Sequence, residues 1–159
     1  MDSSGTVDEA VEIFSEYRVT GYQLGLTALA VPLCAELLLK GEADVARQII
    51  EQCLAISSGN SERIFEAELY RLKARALLAG NRSRTEIKTV LEHAIGIARV
   101  QQARSLELRS ATDLAALHMS MGQRDSAREL LGPVYAMFSS ATEFPDLKAA
   151  RSLLERASS

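Results

Sequence analysis

Three glycines close three apolar helical stretches at nearly regular intervals: Gly41, Gly80 and Gly122, spaced 39 and 42 residues apart. After each, a short polar link leads into a second apolar stripe, Ala46-Ile50-Cys53, then Ile87-Leu91-Ala94, then Ala127-Leu131-Val134. A two-helix unit recurring on this period cannot bury its apolar face alone and must stack on its neighbours. The spacing therefore predicts an all-α fold, an α-solenoid of about three helical hairpins with a leading helix and a C-terminal capping helix.

Composition agrees. The chain has 159 residues, enough for one continuous core, and 47% hydrophobic against 25% charged is the balance of a folded domain rather than a disordered one. Trp is absent, Pro occurs three times, and Ala, Leu, Glu, Arg and Gln dominate most segments, while period-two alternation of β-branched residues is missing. No sheet is expected. The most apolar stretch, residues 24–39, is broken by Gly25, Thr27, Pro32 and Glu36 and falls short of the roughly 20 residues a bilayer span requires.

The N-terminus carries Asp2, Asp8, Glu9 and Glu12 and lacks the basic-then-apolar layout of a secretory signal, so the expected compartment is the cytoplasm. Cys34 and Cys53 fit neither a disulfide framework nor a metal cluster, and both fall in apolar stripes, as core thiols do.

Local signals place the helices within a single domain, residues 1–159. Thr6-Val7-Asp8-Glu9 reads as a capping box opening a leading helix over about residues 6–18. The repeats then occupy about 20–58, 61–102 and 104–139. In the first, a helix over 22–40 is apolar nearly all round and carries Pro32, which should bend or split it. Asn60 or Ser61 is positioned to cap the helix that runs to Ala79, and Ser83-Arg84-Thr85-Glu86 is a second capping box. The helix it opens has Ile87, Val90, Leu91, Ala94, Ile95 and Ala98 on one face. Gly132-Pro133 should bend or restart the second helix of the third repeat. Phe144-Pro145-Asp146 begins the capping helix, about residues 144–157, with Pro at its first position and Asp in its first turn.

A small residue in the first helix, a Gly at the turn and an Ala early in the second helix resemble the tetratricopeptide repeat, which implies a right-handed α-solenoid of TPR-like hairpins. Cys34, Gly41 and Ala46 fill those slots in the first unit, and Ala115, Gly122 and Ala127 in the third. The middle unit departs, with Ile87 in place of the second-helix Ala and a longer link.

Residues 59–159 also resemble, through Phe65-Glu66-Ala67-Glu68-Leu69-Tyr70-Arg71-Leu72, Gln102-Ala103-Arg104-Ser105-Leu106-Glu107-Leu108-Arg109 and Leu130-Leu131-Gly132-Pro133-Val134-Tyr135, the C-terminal repeat region of bacterial multidomain proteins. Those proteins carry a nucleotidyl-cyclase or DNA-binding domain and a signal-transducing ATPase. The resemblance implies a regulatory and interaction module without either activity.

Catalytic chemistry finds little purchase. Neither G-x-x-x-x-G-K-[ST] nor G-x-G-x-x-G occurs, so no nucleotide cofactor is expected, and no other cofactor is implied. His118 lies in the stripe Ala111-Leu114-Ala115-His118-Met121 and reads as a hydrogen-bonded core residue, while His93 reads as a surface residue. Neither has a metal-ligand partner at a suitable spacing on its own helix. The chain reads as a non-enzyme.

Charge is distributed unevenly. Residues 1–59 hold three Lys/Arg against nine Asp/Glu, residues 60–109 hold ten against six, and the remainder five against six. The acidic total and scarce aromatics argue against nucleic acid, and no membrane partner is expected. The opposed charges of the first and middle thirds allow head-to-tail pairing into a homodimer.

In tetratricopeptide arrays the first helices line the concave surface, which makes Arg71, Arg75, Arg109 and Asp113 the candidate groove residues. Arg71 and Arg75 are four apart and so share a helical face, where guanidinium forks can hold a carboxylate or an acidic peptide segment. A competing reading pairs Glu68 with Arg71 or Arg75 inside the chain. The expected function is a protein-interaction and regulatory scaffold whose partner is a protein or peptide segment, acidic if the arginines bind it, or another domain of the parent protein. The alternative is a module that senses a small molecule in the groove and biases an attached ATPase or cyclase.

Overall fold

The computed structural model describes residues 4–19, 25–57, 63–138 and 144–159. These contain eight helices and no strand: α1 (Ser4–Val19), α2 (Leu26–Leu39), α3 (Ala43–Ser57), α4 (Glu66–Ala79), α5 (Arg84–Val100), α6 (Arg104–Ser120), α7 (Arg124–Ala136) and α8 (Pro145–Ser158). The chain forms two compact units, Met1–Ser83 and Arg84–Ser159.

In the first unit α2 packs on α1, α3 and α4, and α3 also packs on α4. One apolar cluster holds it together: Phe14 from α1, Leu26, Ala30, Leu33, Cys34 and Leu37 from α2, Ala46, Ile49, Ile50 and Cys53 from α3, and Leu69 and Leu72 from α4. Each fully buried aliphatic side chain here contributes roughly 1.5–3 kcal/mol of transfer free energy. Small residues set the α2–α3 approach, since the Cys34 thiol lies 3.7 Å from the Ala46 carbonyl oxygen, to which it donates.

The second unit repeats the arrangement. There α6 packs on α5 and α7, and α8 covers both α6 and α7. α8 buries Leu147, Ala150, Leu153 and Ala157 while Lys148, Arg151 and Glu155 stay exposed, the two-faced pattern of a capping helix. Phe138 and Phe144 stack edge to face with ring centroids 5.8 Å apart across the connection into α8.

The helix ends explain the period. Four helices close with the same Schellman motif, in which the second residue beyond the cap bonds back to the carbonyl five residues earlier. The bonds are Glu42 N–H to Leu37 O, Arg82 N–H to Leu77 O, Ala103 N–H to Ala98 O and Gln123 N–H to His118 O, each 2.9 Å. The motif places one residue in the left-handed region: Gly41 (φ 86°), Asn81 (φ 52°), Gln102 (φ 55°) and Gly122 (φ 74°).

Gly80, expected to make the middle turn, is instead the C-cap residue with φ −80°. The turn is made by Asn81, whose short polar side chain tolerates that conformation. The true repeat marks are therefore Gly41, Asn81 and Gly122. Measured from them, Cys34, Ala74 and Ala115 fall at one common position, seven residues before the turn. The middle link is one residue longer than the others, with Arg82 and Ser83 where the first and third units have Glu42 and Gln123 alone.

Three local expectations change. α1 begins at Ser4, so Thr6 lies inside the helix and is not its cap. α4 begins at Glu66, directly after Phe65, and the expected caps Asn60 and Ser61 lie outside the described residues. Pro32 and Pro133 lie inside continuous helices, so the split of α2 and the restart of α7 do not occur. Both prolines are exposed, as are Ala28 and Glu129 four residues before them, so the carbonyls that lose their amide partner lie on the solvent side. α5 starts directly after Ser83, where the sequence places the start of this helix.

Candidate functional site

The side of α4 that carries Arg71 and Arg75 is built outward from a buried pair. Glu68 is only 4% exposed, a position that a carboxylate occupies at low cost only when its charge is met. Arg71, one turn on, meets it with two parallel bonds: Nε donates to Oε2 at 3.0 Å and Nη2 to Oε1 at 2.7 Å. With side chains 11% and 5% exposed, the two form a forked ion pair shielded from water. Arg75, a further turn along, is exposed, and so is Leu78 at 54%. On the flank facing α3, Lys73 reaches Glu51 at 3.7 Å.

Repeat register identifies the matching residues of α2. Val31, Ala35 and Leu38 stand where α4 has Arg71, Arg75 and Leu78, and all three are partly buried hydrophobics packed on the first unit's core. At equivalent positions α2 thus carries apolar side chains where α4 carries the Glu68-paired Arg71, the exposed cation Arg75 and Leu78.

In the second unit Arg109 belongs to a clasp. Its Nε donates to Asp146 Oδ2 at 2.7 Å, tying α6 to the first turn of α8, where the carboxylate also complements the helix dipole. Asp113 sits one turn beyond Arg109, half-buried. A second clasp joins α5 to α6: Arg99 Nε donates to Glu107 Oε1 at 2.6 Å, and Glu107 is 5% exposed.

Of the four candidates, then, Arg71 and Arg75 share one face of α4 in the first unit, and Arg109 and Asp113 share α6 in the second. The competing reading is realised for Arg71, which binds Glu68, while Arg75 projects outward. Sequence reasoning did not find Arg99–Glu107. Its signal was a glutamate in a helical first turn, Glu107, facing a helix that ends in arginine, and no spacing rule joins those positions.

The histidines match expectation. His118 is 9% exposed with Nδ1 2.6 Å from Gln123 Oε1, and His93 is exposed. His118 and Gln123 occupy the two Schellman positions that a hydrophobic contact commonly fills. Here a polar contact replaces it. Neither cysteine forms a disulfide and both are buried, and burial pushes the Cys34 thiol up to about 12, with the neighbouring Cys53 adding to the shift. Among the described residues no three His, Cys, Asp or Glu side chains gather as metal ligands, and no helix is long and apolar enough to cross a membrane.

No protein-family model matches the chain, and no curated protein matches it. Two solved structures do: the nearly identical, kinesin light chain-like TPR repeats from Podosopora anserina and a single-substitution variant of them. They are 22% and 23% identical to this chain, superpose with TM-scores of 0.56 and 0.58, and align over 99% of it and 87% of their own length. The fold is that of TPR-like helical repeats.

Proposed function

We propose that this chain is a non-catalytic interaction module that holds an acidic segment of another protein against the α2/α4 side of its first unit. The observation that carries the reading is the exposed Arg75, one turn beyond an arginine held by a buried carboxylate and one turn before exposed Leu78, on a helix packed against α2, whose equivalent positions carry Val31, Ala35 and Leu38. TPR-like repeats as a class serve protein–protein recognition, and a stack of hairpins offers broad surface with few convergent reactive groups.

In this reading Arg75 supplies the fork that meets a carboxylate, and Arg71, anchored to Glu68, shapes the floor beside it. The resemblance of residues 59–159 to repeats that follow signal-transducing ATPases supports placing the partner segment in such a domain of a bacterial signalling protein.

The test is Arg75→Glu. An acidic, apolar-anchored peptide should lose about tenfold or more in affinity by titration calorimetry, as expected when a charge-assisted contact is reversed, while helical circular dichroism stays unchanged. Equal affinity of both forms removes Arg75 from the surface. Arg71→Glu is the wrong probe, since it sets a second carboxylate against buried Glu68 and disturbs folding as well as binding.

A further inference from the structure

The repeat register exposes a second surface on the first unit. Leu29, Pro32 and Glu36 of α2 stand at the positions that Leu69, Leu72 and Ala76 occupy on α4. On α4 these are sealed, at 0%, 0% and 3% exposure, and Leu69 and Leu72 lie in the cluster formed with α2 and α3. On α2 the same side is open: Leu29 is 48% exposed, Pro32 and Glu36 are exposed, and Leu39, one turn further, is 75% exposed. Ile13 on the adjoining α1 adds a further exposed apolar side chain, at 54%. Among the described residues of the first unit no helix covers this strip.

We propose that the α1/α2 face receives an amphipathic helix of another protein, basic along its flanks, seated there as α2 is seated on α3 and α4. That the occupant is a helix follows from the internal template: one repeat further along, the equivalent residues are covered by α2, whose stripe is Leu26, Ala30, Leu33, Cys34 and Leu37. That it is basic follows from charge. Asp8, Glu9, Glu12 and Glu16 are exposed on α1, Glu36 lies in the strip itself, and residues 1–59 carry nine acidic against three basic side chains. A second copy docking through the same face would set two such acidic helices together, which like-charge repulsion opposes. The surface is separate from the α2/α4 side and selects the opposite charge.

The probe is a synthetic helical peptide that carries the α2 stripe, with alanine for its cysteine and lysines at the outward positions, titrated against the full chain by fluorescence anisotropy. Saturable binding is expected, weakened about tenfold by Leu29→Glu or by Leu39→Glu and severalfold on raising salt from about 50 to about 500 mM. Both positions are solvent-exposed, and unchanged circular dichroism of the variants separates lost docking from lost folding.

A peptide with glutamates in place of the lysines should bind at least about tenfold more weakly. Absence of binding, equal binding of the two peptides, or binding indifferent to both substitutions overturns the proposal. So does sedimentation showing a dimer of the chain that Leu29→Glu dissolves, which would make the occupant a second copy.

Discussion

Arg71 shows how a side chain chosen for its charge can be spent inside the molecule. An arginine on an exposed helical face is ordinarily a surface cation, but Glu68 is carried below the surface by the packing of its neighbours Ala67 and Leu69, both 0% exposed. An ionised carboxylate there is tolerated because the guanidinium supplies two bonds to it. Removing the cation alone leaves that carboxylate uncompensated, so Arg71→Met should lower stability by about 3 kcal/mol in urea unfolding. Replacing both residues with apolar ones of similar volume should recover most of the loss. The sequence offered both Arg71 and Arg75 as partners for Glu68; Arg71, three residues on, pairs with it, whereas Arg75, seven residues and about two turns on, lies beyond helical pairing distance.

Helix ends carry the next lesson, because a common motif is met by different residues. Gly41 and Gly122 adopt the left-handed position at no steric cost, whereas Asn81 and Gln102 hold it with a Cβ. A Cβ at Gly122 would meet nothing within 4 Å, so Gly122→Ala tests the backbone term alone and should cost about 1 kcal/mol. Gln102→Gly should stabilise by a similar amount, about 1 kcal/mol, at a position where the present residue is disfavoured. Gly80→Ala should be neutral or stabilising by about 0.5–1 kcal/mol, because Gly80 has an ordinary negative φ and an added Cβ makes only normal contacts, 3.4 Å from the Ala76 oxygen. Thermal denaturation of the three variants checks the set. A destabilised Gly80→Ala would restore it as the turn residue. Stripes and stops were legible because they are local; the exchange of Gly80 for Asn81 was not, since a glycine at a helix end fits either the cap or the position after it.

Across the chain, stability has one dependence on pH that the core dictates. Cys34 is buried and its thiol is pushed up from 9.0 to about 12. Below pH 9 both folded and unfolded chains keep the proton, and its contribution is fully present. Between pH 9 and about 12 the unfolded chain releases the proton while the folded chain retains it, so stability falls by up to about 1.4 kcal/mol per pH unit. Cys34→Ala should fold, since Ala74 and Ala115 fill the equivalent slots, and should remove that part of the alkaline decline in urea midpoints followed by circular dichroism. An identical decline in the variant would assign the effect elsewhere.

Order along the chain, the number of helices, their approximate limits and the faces they bury all follow from residue spacing, because a helix reads its own neighbours three and four positions away. The TPR-like pattern of small residues was legible for the same reason. Tertiary packing decided which charges remain outside. It drew Arg71 onto Glu68, Arg109 onto Asp146 and Arg99 onto Glu107, left Arg75 in solvent, and uncovered on α2 the strip whose counterpart on α4 is sealed. Two of those three pairs join residues on different helices, and two of the three meet a carboxylate that the fold buries, Glu68 and Glu107. Burial is set by elements distant in sequence, and no local spacing encodes it.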